Sequence, residues 1–147
     1  MIMKKILFAK KEHLPLVADI EKIVFSDPCS EKGLELFLDE KNLCVCCFED
    51  STLVSYCTLV TVLDEAQIIN VATSPEFRGR GYAREVIFSV VDECKKRGIT
   101  LISLEVRESN APAIALYTSF GFTIEGKRKD FYKNPRENAF VMIKNLD

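Results

Sequence analysis

The chain has 147 residues, 48% of them hydrophobic and 29% charged, the size and mix of one globular domain that buries a core, so residues 1–147 are read as a single domain. A formal net charge of −2 argues against a surface built for direct nucleic-acid binding, and no apolar run reaches the length of a membrane span. The charge is unevenly spread: residues 1–73 hold 7 basic and 12 acidic side chains, whereas residues 74–147 hold 13 and 10. An anion is therefore expected in the second half, and the first half suits a cationic acceptor.

Met1–Phe8 lacks the longer hydrophobic region and cleavage site of a signal peptide, so a cytoplasmic location is expected. Met3–Ala9 reads as a first strand. Glu12–Phe25 then carries Leu14, Val17, Ala18, Ile20, Glu21 and Val24 at helical spacing, a largely apolar face. Ser26-Asp27-Pro28-Cys29 breaks it, and Ser30 is placed to cap a short helix to about Asp39, with Leu34, Phe37 and Leu38 inward. Leu43–Phe48 and Leu53–Leu63 look like strands joined by the polar turn Glu49-Asp50-Ser51. Cys44, Cys46 and Cys47 crowd the first of these, where alternation sends Cys44 and Cys46 to one face and Cys47 to the other. The only histidine, His13, is distant, so reduced, buried cysteines are expected and no metal site.

Asp64-Glu65 turns the chain into Ile68-Ile69-Asn70-Val71-Ala72, rich in β-branched residues as a buried strand is. A proline turn leads to the loop Arg78-Gly79-Arg80-Gly81-Tyr82-Ala83. Ala83, Val86, Ile87, Val90, Val91 and Cys94 then recur at helical spacing up to the stop at Gly98. A tight loop that opens a helix leaves bare backbone N–H groups aimed at one spot, and that spot attracts anions. Gly79 and Gly81 allow close approach, while Arg78, Arg80 and Arg84 add positive charge. The physical reading is a diphosphate site.

Leu101–Val106 alternates, with Ser103 and Glu105 on one side and Leu104 and Val106 on the other. Asn110 is placed to cap a helix carrying Pro112 in its first turn and ending at Gly121. Thr123–Lys127 and Asn138–Lys144 read as the last strands. The succession predicts a mixed α/β fold around one sheet.

Arg78-Gly79-Arg80-Gly81 between a strand and a helix resembles the acetyl-CoA pyrophosphate loop of the GCN5-related N-acetyltransferase (GNAT) superfamily. Asn110-x-x-Ala113-x-x-x-Tyr117-x-x-x-Gly121-Phe122 resembles that family's second cofactor segment. Asp64-Glu65-Ala66, Leu104-Glu105-Val106-Arg107, Ser109-Asn110, Ala115-Leu116-Tyr117, Tyr132 and Arg136-Glu137-Asn138-Ala139 are similar to the ribosomal-protein-alanine N-acetyltransferase type. The resemblance implies a mixed, mostly antiparallel sheet of about seven strands flanked by about four helices. It also implies an acyltransferase that uses acetyl-CoA as co-substrate.

By the same resemblance Glu105 is the proton acceptor and Tyr117 the acid that protonates the departing sulfur. Val71, Ala72 and Thr73 hold the pantetheine arm as an added strand would be held, and one of their N–H groups serves as oxyanion donor. Arg78, Gly79, Arg80, Gly81, Tyr82, Ala83 and Arg84 hold the diphosphate mainly through the main chain, and Asn110 touches the cofactor or simply caps its helix. Tyr132 either lines the acceptor side or packs in the core. Cys29 stands where that type usually has tryptophan. The acceptor is accordingly a protein N-terminus first and a small amine or a lysine second. A non-catalytic acyl-CoA-binding domain, as monomer or dimer, is the alternative outside the enzymes.

Overall fold

The structure, a computed structural model, describes residues 1–146. Eleven principal elements follow in order: β1 (Lys4–Phe8), α1 (Leu14–Val24), α2 (Glu31–Leu34), β2 (Leu43–Glu49), β3 (Thr52–Val62), β4 (Glu65–Thr73), α3 (Tyr82–Lys96), β5 (Leu101–Arg107), α4 (Ala111–Ser119), β6 (Thr123–Lys133) and β7 (Arg136–Asn145). The seven strands form one sheet in the order β1-β2-β3-β4-β5-β7-β6. Only β4 and β5 pair in parallel, across the α3 crossover; every other neighbour is antiparallel.

Helices cover both faces because the strands are apolar on both. On one face α3 buries Val86, Ile87, Val90, Val91 and Cys94 against Val45, Cys57, Leu59, Ile102 and Leu104, and α4 joins them through Tyr117. Each such aliphatic side chain contributes about 2 kcal/mol on removal from water. On the other face α1 and α2 set Leu14, Val17, Ile20, Leu34 and Phe37 on Cys44, Cys46, Phe48, Leu53 and Tyr56. The cysteines of β2 divide as alternation requires. All but Cys29 of the six are buried, and burial pushes the thiols of Cys47 and Cys94 up to about 11.

Local signals place most boundaries. The Ser30 hydroxyl accepts the Gly33 N–H at 3.0 Å, and Asn110 Oδ1 accepts that of Ala113 at 3.2 Å. Three expectations need correction. The second helix tightens into a 3-10 turn over Glu35–Leu38, and the changed pitch turns Leu38 outward to 37% exposure. The central strand is longer than Ile68–Ala72, starting at Glu65 and ending at Thr73. The closing hairpin is longer than expected as well, because β6 is an edge strand almost wholly exposed along Thr123–Lys133. With solvent on both sides its charged residues show no alternation, and register shifts at Ile124/Gly126 and Arg128/Tyr132 disturb the pattern further.

Candidate active site

β4 and β5 pair over only Glu65↔Leu101, Ala66↔Ile102 and Gln67↔Ser103. Both strands then run on, β4 to Thr73 and β5 to Arg107, with no ladder between them. Beyond Gln67 the sheet is therefore split, and one edge of β4 has backbone groups with no strand to receive them. A bulge sharpens the split. Thr58 faces Asn70 and Leu59 faces Ile68, which leaves Ile69 as an extra residue. The bulge resets the alternation, so Ile68 and Val71 pack toward α3 while Ala72 reaches the α1 side.

At the open end of the split the chain passes from Thr73 into the arginine loop and α3. Gly79 and Gly81 have φ of +79° and +82°, the left-handed region where glycine is unstrained. A Cβ added at either would meet nothing within 4 Å, so the space above the loop is free. The first amide of α3 to be used internally is that of Glu85, which donates to the Gly81 carbonyl. Among the described residues, the N–H groups of Gly79 through Arg84 find no acceptor in the chain. Six bare donors with three arginines form an anion cradle, whose size and charge fit a diphosphate.

The arginines are only lightly held. Arg78 Nε donates to the Thr73 carbonyl at 3.3 Å, Arg80 lies 3.9 Å from Glu49 Oε2 and over the Phe77 ring, and Arg84 donates to Ser119 Oγ at 3.2 Å. Tyr82 differs: its ring is buried and its hydroxyl donates to Glu49, so only its main chain faces the loop. Ala83 is half-buried in the first turn of α3. Thr73 shares a hydroxyl contact with Ser55, whose own hydroxyl donates to the Ala72 carbonyl. The Asn110 side chain is occupied in its cap.

Glu105 lies on β5 just past the last paired residue, half-buried, on the α1 side of the sheet. Both its oxygens accept from Gln67 Nε2, at 3.0 and 3.1 Å. Tyr117 rises from α4 on the opposite face. Its ring packs on Phe122 at 5.7 Å between centroids, and burial raises its phenol well above the ordinary value, with Cys57 and Tyr132 adding to the shift.

Tyr132 lies on β6, opposite Glu137 of β7. Arg107 stacks on it at 4.2 Å and also donates to the carbonyls of Asn134 and Pro135 and to Glu137. Glu137 further accepts the Ser109 N–H at 2.7 Å, and the hydrogen bond from Ser109 lowers its carboxyl below the usual range. Burial raises the Tyr132 phenol, opposed by Arg107 and assisted by Glu105 and Glu137. The terminal motif thus pins the β6–β7 hairpin beside β5.

Glu21 lies, as its spacing predicts, on the inward face of α1. The residue is fully buried; it accepts the Cys29 N–H at 2.9 Å, both oxygens accept from Asn70 Nδ2, and the Tyr56 hydroxyl donates to it as well. It ties the loop between α1 and α2 to the free part of β4. The only sequence signal for it was a carboxylate at a core position.

Comparison with known proteins follows the same geometry. The model of the acetyltransferase (GNAT) family matches residues 14–122. The ribosomal protein bS18-alanine N-acetyltransferase of Escherichia coli (strain K12) is 35% identical over 131 residues, 88% of this chain and 88% of that protein. The crystal structure of the ribosomal-protein-S18-alanine N-acetyltransferase from Escherichia coli superimposes with a TM-score of 0.92 at 33% identity, covering 99% of this chain and 95% of that one. A chain of the NatC complex bound to Gag peptide and CoA shares the fold, with a TM-score of 0.83 at 19% identity and coverage of 97% and 99%. A split parallel pair, a bulged strand and an arginine-glycine loop opening α3 are thus joined to a family match over most of the chain: this protein belongs to the acetyltransferase (GNAT) family and is an acyltransferase.

Proposed function

We propose that the protein transfers an acetyl group from acetyl-CoA to the α-amine of a protein N-terminus, with an N-terminal alanine of a ribosomal protein as the preferred acceptor. The observation that carries this reading is the parting of β4 from β5 after Gln67↔Ser103. It leaves a strand-shaped slot with the anion cradle at one end and Glu105 at the other. The free edge of Val71–Thr73 suits an extended amide chain such as pantetheine, and the cradle suits the diphosphate that ends it. The bound co-substrate supplies a thioester, an acyl carbon already activated toward an amine.

The protein's part is proton transfer and charge placement. Glu105 takes the proton of the incoming amine, directly or through one water. A backbone N–H of Val71–Thr73 donates to the acyl oxygen as it gains charge. The Tyr117 phenol, kept protonated by burial, gives its proton to the departing sulfur. No covalent cysteine step is needed, since a bound amine attacks directly and the raised thiols of Cys47 and Cys94 are poor nucleophiles.

The α-amine is favoured on energetic grounds and by relatives whose names specify alanine N-acetyltransferases. Its reference pKa is about 8 against about 10.4 for lysine, a gap worth roughly 3.3 kcal/mol in reaching the neutral nucleophile. The test is mass spectrometry of short peptides with varied first residues, incubated with enzyme and acetyl-CoA. Acetylation at the α-amine of Ala-starting peptides is expected; acetylation confined to lysine side chains or small amines sinks the reading.

A further inference from the structure

Resting on the assignment of Glu105 as base, we infer that Gln67 is its positioning residue. Gln67 is the last residue of β4 to pair with β5, opposite Ser103. Its side chain reaches forward along the split, on the face that also carries Glu105. Nε2 lies 3.0 Å from one carboxylate oxygen and 3.1 Å from the other, so one amide nitrogen spans both. The carboxamide nitrogen must be the atom turned toward Glu105, because its oxygen there would face two acceptors. Among the described residues no other group donates to this carboxylate.

The consequences are geometric. A glutamate at the edge of a gap has three free torsions and no β4 residue paired opposite it to restrict them. The fork from Gln67 fixes the carboxylate plane and leaves most of its four lone-pair sites open toward the slot. That is the arrangement a base needs: oriented, yet unsaturated. A shallow cavity of about 260 Å³, lined in part by Val60, Ala66, Gln67 and Ser103, opens beside Gln67. The Gln67 carboxamide oxygen finds no donor in the described chain.

The experiment compares Gln67→Met and Gln67→Leu, which keep bulk and remove the donor, in the wild-type and Glu105→Gln backgrounds. In the wild-type background kcat is expected to fall about 10-fold to 30-fold, with the KM for acetyl-CoA unchanged, because misorienting a reacting group acts on the chemical step. With Glu105→Gln present, either Gln67 variant should change the residual rate less than twofold, since the two residues act as one unit. Equal losses in both backgrounds, or a lowered melting temperature with unaltered kcat, overturn the inference and leave Gln67 a simple strand tie. If Glu105→Gln alone retains full kcat, the base assignment itself fails. If Glu105→Gln is crippled while both Gln67 variants run at the wild-type rate, only the inference fails.

Discussion

Glu21, on the helix α1 that covers the sheet, and Glu105, on β5, lie on the same side of the sheet and illustrate two opposite uses of a carboxylate. Glu21 is excluded from solvent and accepts from a backbone amide, a side-chain amide and a phenol. Every lone-pair direction that matters is spoken for, so it has nothing left for a reacting proton. Glu105 is half-exposed, sits where two strands separate and has a single amide partner. Burial with saturation makes a strut; partial exposure with one orienting bond is what the proposed base requires. The strut also serves the site: it holds the loop bearing Cys29 and the β4 residue Asn70 in one register.

The sharpest trial of that contrast is removal of each function by itself. Glu105→Gln should lower kcat/KM by about 100-fold to 1,000-fold with no change in melting temperature; a stability loss with retained turnover would reverse the two roles. Glu21→Ala leaves a phenol, a carboxamide and a backbone N–H without acceptors. It should cost about 3 kcal/mol, roughly 10 °C of melting temperature, read by thermal denaturation. Near-normal kcat is expected at temperatures where that variant remains folded.

Tyr117→Phe should reduce kcat about 10-fold while retaining the packing of the ring on Phe122. Because burial raises the Tyr117 phenol, its deprotonation lies above that of free tyrosine. Wild-type kcat should therefore show no decline from this group until the pH exceeds about 10. A fall centred well below that point assigns the acid elsewhere.

The smallest effect concerns Cys29, the one cysteine that is not fully buried. Burial first and the nearby Glu21 second raise its thiol. Removing the charge in Glu21→Gln should lower that value and speed alkylation of Cys29 at pH 8 severalfold. Unchanged kinetics would mean that the carboxylate does not act on the loop.

Much of this molecule is legible in one dimension. The strand–loop–helix from Ile68 to Gly98, the Ser30 and Asn110 caps and the alternation about Glu105 are local, because each depends on residues within one turn or one pleat. The two motifs also identified the family. The roles of Gln67 and Glu21 were not visible, since their partners are 38, 35 and 49 residues away. The charged residues of β6 concealed its continuation from Arg128 to Lys133 because an edge open to solvent imposes no period on them.

Chain order and hydrophobic spacing by themselves determined which segments become helices and strands. Tertiary structure alone decided that β4 and β5 part company after three pairs, and which of two glutamates on one side of the sheet would be sealed and which left open. The physical reason is that periodicity reports burial of a segment against an unspecified neighbour. A gap between strands and the saturation of a carboxylate are properties of particular neighbours brought together only by folding.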